Sequence, residues 1–562
     1  MQKLIECVPN FSEGRDLNII RQITTAIEAV EGVSLLDVDP GVSTNRTVVT
    51  FVGGPEAVVE AAFQGIRKAA EVIDMRKHKG AHPRMGATDV CPFVPVSNVS
   101  WEEAIACATQ LGKRVADELK IPVYLYEKAA RDSSRSNLAV IRSGEYEGFF
   151  EKIKVPAWKP DFGPAILHEK AGATVIGARE FLVAYNVNLN TKATRRATSV
   201  AFDVRENGRN KTVDGTPSGK PVLDETGEPV RIPGMLKHVK AIGWYVEEYG
   251  VAQVSMNLTN IEETPLHAAF DACLEAASKR GLRVTGSEIV GMVPKKCLLD
   301  AGKYFLRKQR CSEGASEEEL IRMAIRSMGL SELKPFDPQE KIIEFKIASA
   351  VAKKSLLELN LRQFCDETLS ESPAPGGGSV AALMGALGVS LGGMVANLSA
   401  GRRGWDERLD YFSDWAVMAQ QLKNEMLLLV DEDTAAFNTV MAAFALPKDS
   451  AEEKAARSAA IQQANKYAAE IPLKVMETAS KSYQLLAEMA EKGNPASISD
   501  VGVGLLALRA CVNGAALNVR INLAGLKDEK LKAALLERVT GITAESESRF
   551  KEITEIVESK VR

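Results

Sequence analysis

The chain is poor in the residues that most often carry chemistry. Its 562 residues hold five histidines and eight cysteines. The cysteines are scattered, with no Cys-x-x-Cys pair and no short spacing that could grip zinc, so neither a zinc site nor a disulfide framework organises the fold. A reducing, cytoplasmic location is the expectation. The first twenty residues, MQKLIECVPNFSEGRDLNII, lack the basic start and apolar run of a secretory signal. A charge excess is missing too: 70 Lys and Arg against 74 Asp and Glu leave a net charge of −4. Nothing in that balance attracts a phosphate backbone or an anionic bilayer, so neither nucleic acid nor a membrane is an expected partner.

What is present is an ordinary globular composition, 45% apolar and 26% charged, in a length that fits three to four structural units. Up to about residue 330, short β-branched runs such as RTVVTFVGG, IPVYLY and VAQVSMNLT alternate with amphipathic helical stretches. This predicts two α/β (α+β) subdomains, over 1–160 and 161–330, with a seam at the proline-rich AWKPDFGP. Residues 205–234 hold five Gly and four Pro with little apolar periodicity and read as a surface insertion. A capping box, Ser316 to Glu319, opens a helix, and LKPFDPQE lies in a linker over 331–350. From 351 to 562 strands vanish and alanine abounds, which predicts an all-α helical bundle. Within it, Val380–Gly401 carries no charge over 22 residues. Its four or more small residues, Gly388 and Gly392 among them, favour close helix packing in a bundle or dimer core over a membrane span.

Two of the five histidines fall in RKHKGAHPRMGATDVCPF. His78 and His82 have metal-like spacing, but Gly80 and Pro83 make the segment a loop, which separates the rings. A single imidazole on such a loop can take a proton from an attacking nitrogen and return it to a leaving amine, with Asp89 near in sequence as an orienter. A structural loop histidine is the alternative. Asn10, after the first strand, and Asp37 and Asp39, before a Pro-Gly turn, sit where α/β proteins place their sites, and where turn caps also occur. In the helical half, SPAPGGGSVAAL presents Gly376, Gly377, Gly378 and Ser379 at a helix start, with free amides for a substrate oxygen or with simple hinge flexibility. It lacks the Gly-Lys-Ser/Thr ending of a phosphate loop. Farther on, Trp415, Leu422, Met426, Leu429, Asp433, Phe437, Val440 and Phe444 share one helical stripe. Asp433 is the single carboxylate on it, placed as a general acid of raised pKa or as a buried structural pair; Asp431 points the other way, toward solvent.

The blocks CVPNFSEG, LLDVDPGVSTNRT, HKGAHPRMGATDVCPF, DFGP and GWYVEEYGVAQVSMN resemble the transferase half of the formimidoyltransferase-cyclodeaminase family. PAPGGGSVAAL, GRR and LVDEDTAAF resemble its cyclodeaminase half, in the same order. The resemblance implies two consecutive reactions of histidine degradation. A formimino group moves from N-formimino-glutamate to nitrogen 5 of tetrahydrofolate, and the product then closes to 5,10-methenyl-tetrahydrofolate with loss of ammonia. Tetrahydrofolate is thus a co-substrate, expected in polyglutamylated form, and no metal is called for. The family's catalytic histidine falls on His82 and its cyclodeaminase acid on Asp433; Asp39 is our own expectation for an orienter of His82. Its folate-contacting segment falls on Gly163, Pro164, Ala165, Ile166, Leu167, His168, Glu169, Lys170, Ala171 and Gly172. Family members assemble into rings of dimers, so a homo-octamer is the expectation. A transferase whose helical half serves only as an oligomerisation platform is the competing account.

Overall fold

The computed structural model describes residues 3–42, 44–80, 83–216, 219–350 and 355–561, without the side chains of 349 and 350. His82 and its neighbour Ala81 lie outside the described residues. The chain divides into two compact units, one from Met1–Ala301 with Ala324–Ala352, the other from Gly302–Met323 with Lys353–Arg562.

The first subdomain runs β1 (Leu4–Cys7), β2 (Asn10–Phe11), α1 (Leu17–Glu28), β3 (Val33–Gly41), β4 (Arg46–Gly53), α2 (Pro55–Val72), β5 (Thr88–Ser97), α3 (Trp101–Leu119), β6 (Val123–Glu127), α4 (Leu138–Arg142), α5 (Glu145–Lys152) and β7 (Thr174–Ala178). Helix starts follow their sequence signals. Asp16 accepts the amides of Asn18 and Ile19, Pro55 opens α2, and Ser100 and Glu103 form a reciprocal capping box on α3. In the sheet, β1 and β2 lie in line between β4 and β5, while β3 pairs with β4 on one side and β7 and β6 follow β5 on the other. Period-two alternation sorts the faces. Ile5, Cys7, Val49, Phe51 and Phe93 are buried in one cluster with residues of α1, α2 and α3, each large side chain contributing about 1.5–3 kcal/mol. The opposite face carries Glu6, Asn10, Asp37, Asp39, Arg46 and Thr50.

The boundary expected at 160 moves. β7 lies parallel between β5 and β6, so the first sheet closes at Ala178. The prolines of AWKPDFGP mark a crossover inside the subdomain: Asp161 accepts the Leu125 amide at 2.8 Å and Phe162 bridges to Val123.

The second subdomain comprises β8 (Val183–Leu189), α6 (Thr194–Val204), β9 (Arg209–Asn210), β10 (Arg231–Ile232), β11 (Val239–Val246), β12 (Val251–Leu258), α7 (Leu266–Ser278), β13 (Val284–Val290), α8 (Lys295–Lys308), α9 (Glu317–Met328), α10 (Pro338–Lys341) and α11 (Ile343–Ala350). Its antiparallel sheet has the order β11-β12-β8-β13. The 205–234 insertion is an exposed flap closed by the short β9–β10 pair. The stretch 331–350 is more than a linker. Ile343 is buried with Leu36 of β3 and Val52 of β4, and its amide donates to Val293 at 3.1 Å. Apolar residues Ile342, Ile343 and Ile347 carry this seating.

The other unit is helical, with α12 (Leu361–Leu369), α13 (Gly377–Ala400), α14 (Leu409–Ala445), α15 (Ala451–Lys492), α16 (Ile498–Leu523) and α17 (Glu529–Val561). α13 and the Pro495–Leu523 stretch are long and apolar enough to cross a membrane, but glycines let α13 pack inside the bundle. A methyl group at Gly388 would lie 2.8 Å from the Gly504 carbonyl of α16, one at Gly392 2.8 Å from Leu485 of α15, and one at Gly393 2.8 Å from Ala419 of α14. The turn between α8 and α9 joins this unit: Asn397 and Gln420 donate to the Gly314 carbonyl at 3.0 and 3.1 Å, and the Glu313 amide donates to Ser413 at 2.9 Å.

Candidate active sites

In the first subdomain the loop after α2 runs toward β5, and the described residues on both sides of His82 are held from several directions. His78 is buried; one ring nitrogen meets the Asn45 carbonyl at 2.8 Å and the other accepts the Arg84 guanidinium at 3.2 Å. Both ring nitrogens are used, which rules His78 out as a metal ligand and fixes it as neutral imidazole, its pKa lowered by burial. Asn45, at φ 49°, donates to the Lys79 carbonyl at 3.1 Å and accepts the Gly14 amide at 3.0 Å, tying three loops together. Asn and Asp tolerate this left-handed backbone better than other side chains.

Past the histidine, Arg84 is clamped by Glu145 and Glu147 at 2.8 and 2.7 Å. Asp89 is fully buried and accepts the Met85 amide at 3.0 Å and Arg142 of α4 at 2.6 Å. Burial raises its pKa, against the pull of Arg142 and then Arg46. Asp89 therefore braces the end of the loop through Met85; its expected orienting role toward His82 falls on a residue outside the described ones.

Asp39 and Asn10 share a row of the polar face, both registered on Val48 of β4. Asp39 is exposed on β3, beside Asp37, whose carboxyl is raised first by burial and then by Asp39. Asn10 is buried and committed: its amide donates to the Val8 carbonyl at 2.9 Å and its oxygen accepts from Arg46.

The Gly163–Gly172 segment runs back along the same loop. The Ala87 amide donates to the Ala171 carbonyl at 2.8 Å, the Ala173 amide to Met85 at 3.0 Å, and the Met75 amide to Lys170 at 2.9 Å. The two glycines sit at φ 89° and 73°, and at Gly172 a side chain would collide with the Met85 carbonyl at 2.2 Å. Ala165 and Ile166 are exposed at the crest, whereas the His168 ring accepts the Ala171 amide at 3.0 Å and the Lys170 ammonium donates to the Glu71 carbonyl. The side chains of His168 and Lys170 shape the segment.

In the helical unit the start of α13 meets the middle of α14. Asp433 accepts from the Ser379 hydroxyl at 3.1 Å and from the Ser379 amide; burial raises its pKa and those bonds oppose the rise. A methyl at Gly378 would lie 2.1 Å from the carboxylate, so only glycine fits against it. Asn518 of α16 reaches the same place: a methyl at Gly377 would meet its side-chain nitrogen at 3.3 Å. Gly376 caps α13 with no side-chain bond. The stripe holds along Leu422, Met426 and Leu429, all buried, and opens at Phe444. Asp431 departs from its expected solvation: it accepts the Ser355 hydroxyl at 2.5 Å and the Leu356 amide at 2.8 Å, capping the incoming turn. Among the described residues no group of three His, Cys, Asp or Glu side chains is placed to hold a metal ion.

Asn45, Arg84, Arg142 and Asn518 escaped the sequence reading. The first two lie inside the quoted STNRT and HPRMG blocks, which was the only signal they gave.

An α/β half with a loop pinned by polar side chains, followed by an all-α half with a desolvated carboxyl under a glycine-rich helix start, is the build of an enzyme that joins an α/β transferase to a helical domain. Three family descriptions match consecutive spans of the chain. "Formiminotransferase domain, N-terminal subdomain" matches residues 4–179, "Formiminotransferase domain" 184–348 and "Formiminotransferase-cyclodeaminase" 360–541. The chain is 44% identical over 550 residues to the formimidoyltransferase-cyclodeaminase of Rattus norvegicus, covering 98% of each. Single-function relatives match each half: a glutamate formimidoyltransferase of Thermoplasma acidophilum is 44% identical over 57% of this chain and 98% of its own. A methenyltetrahydrofolate cyclohydrolase of Methylorubrum extorquens is 38% identical over 36% of this chain and 97% of its own. The chain belongs to the formimidoyltransferase-cyclodeaminase family.

Proposed function

We propose that this chain performs two consecutive one-carbon steps on folate, glutamate formimidoyltransfer followed by cyclodeamination. The observation that carries the reading is similarity to two-activity relatives over 98% of the chain. In the first step nitrogen 5 of tetrahydrofolate attacks the amidine carbon of N-formimino-glutamate. His82 accepts the proton of that nitrogen and returns it to the departing glutamate amine, with Asp39 as its orienter. The bracing of the described residues on both sides of His82 supports this loop as a site. Gly163–Gly172, registered against Met85 and Ala87, is the folate segment, and its exposed crest offers backbone and apolar contact to a flat ring.

In the second step nitrogen 10 attacks the same carbon and its proton passes to the amidine nitrogen; Asp433 then gives that nitrogen one more proton as its bond to carbon breaks, so that it leaves as ammonia. The desolvated carboxyl favours the protonated form such a donor needs. Gly376, Gly377 and Gly378 line the approach, and Asn10 is a scaffold residue of the first site. The natural co-substrate is a polyglutamylated tetrahydrofolate, the protein is cytoplasmic, and it works as a ring of dimers without metal, nucleic acid or membrane. Exposed Val503, Leu506, Leu517 and Ile521 on α16 support self-association.

The test is a coupled assay from formimino-glutamate and tetrahydrofolate, following methenyl-folate absorbance and ammonia together. His82→Asn should abolish transfer and leave ring closure of supplied 5-formimino-tetrahydrofolate intact. Asp433→Asn should accumulate that intermediate. Normal methenyl formation by Asp433→Asn would instead leave the helical half as an oligomerisation platform.

A further inference from the structure

The hydroxyl of Ser379 has more partners than protons. It lies 2.9 Å from the Val430 carbonyl, 3.1 Å from Asp433 Oδ2 and 3.3 Å from the Thr434 hydroxyl, and the residue is fully buried. A serine hydroxyl donates one hydrogen bond and accepts up to two. It can serve the carbonyl or the carboxylate, never both at once. Full burial also removes it from direct contact with substrate, the role that its place after three glycines invited.

We propose that Ser379 is the positioning residue of the helical-domain site, its hydroxyl turning between Val430 and Asp433 so that the carboxyl is held in one place whether or not it carries its proton. The inference rests on Asp433 being the acid of ring closure. With Asp433 protonated, the carboxylic O–H donates to Ser379 Oγ, and the serine proton turns to the Val430 carbonyl. Once Asp433 has given its proton to the leaving nitrogen, the serine proton turns to the new carboxylate, which also keeps the Ser379 amide. No proton is gained or lost by the serine, so it resets without solvent. Gly378 completes the device: the close approach that lets one residue supply both donors leaves no room for a side chain there.

Among the described residues no charged side chain is paired with this carboxyl; burial raises its pKa, and the bonds from Ser379 oppose the rise. On its own helix Asp431 is taken up by Ser355 and Leu356, and Glu432 acts on Tyr467 of α15. α13 is uncharged over its whole length, and α16 brings Asn518.

The experiment is ring closure of supplied 5-formimino-tetrahydrofolate across pH by the full-length wild type, Ser379→Ala and Asp433→Asn, with helical circular dichroism and the melting of the helical unit as the folding control. Ser379→Ala should lower kcat at least tenfold with KM within twofold. It should also move the alkaline limb of kcat to higher pH, because the charged form of Asp433 loses a hydrogen bond and the acid holds its proton longer. The infrared band of the protonated Asp433 carboxyl, identified by its loss in Asp433→Asn, should shift in Ser379→Ala. If Ser379→Ala misfolds, Ser379→Cys, of similar size but a weaker donor, gives the same readout at smaller amplitude. Unchanged kcat and alkaline limb in a folded variant overturn the positioning role while Asp433→Asn stays inactive. An active Asp433→Asn overturns the acid assignment itself.

Discussion

The two halves of this chain brace their candidate sites by opposite means. In the α/β half, the loop that carries His82 is fastened by side chains from far away in sequence: Asn45 from the turn before β4, Glu145 and Glu147 from α5, and Arg142 from α4 onto Asp89. In the helical half, Asp433 is fastened by adjacency, with one glycine cleared away and one serine donating twice. Polar bracing fails when a single partner is deleted. Packing fails when a single atom is added. The difference gives each half its own mode of damage.

The largest effect should come from Arg142→Ala, which leaves the fully buried Asp89 carboxyl without its cation. Losing one member of a buried pair costs about 3–5 kcal/mol. Denaturant unfolding of the α/β unit should show it, with transferase activity down more than tenfold and ring closure retained. Equal loss of both activities would break the comparison.

Next comes pH. Burial raises the Glu6 carboxyl on the polar sheet face to about 7, against Arg179 and with Glu344 adding to the rise. The folded state therefore binds this proton more tightly than the unfolded chain does. Its contribution is fully present below pH 4.5 and is lost as pH rises to about 7. The loss amounts to about 3 kcal/mol at most. Urea midpoints of the α/β unit should fall between pH 5 and pH 8 by more in the wild type than in Glu6→Gln; parallel curves would remove Glu6 as the cause.

The smallest effect tests the packed half. Gly388→Ala puts a methyl 2.8 Å from the Gly504 carbonyl, and over-packing of this kind costs about 1–3 kcal/mol. The helical unit should melt earlier while the transferase reaction is untouched.

Legibility followed the same division. The apolar stripe of α14 is a local, periodic signal, and it puts Asp433 on the packed face. Asp431, two residues away, lies off that stripe, yet its partners, Ser355 and Leu356, arrive from a turn that periodicity cannot see. The seam at 160 failed for a related reason: β7 returns in parallel to a sheet already built, and a crossover leaves the same prolines as a boundary. Arg142 and Asp89 are 53 residues apart, and nothing local joins them. The quoted blocks made the family legible; the braces that give those blocks their shape were not.

The docking of the α8–α9 turn bears on how such a chain can be divided. Residues 302–323 lie inside the span matched by a transferase description, yet they are counted with the helical unit. A cut at the apparent junction near 351 would carry Ser312, Glu313 and Gly314 away with the first fragment. Asn397, Ser413 and Gln420 would stay behind on the second without the groups they bond. Fusion in this chain is more than a tether between two enzymes: one half lends the other a piece of its wall, and a helical fragment made alone needs new residues there.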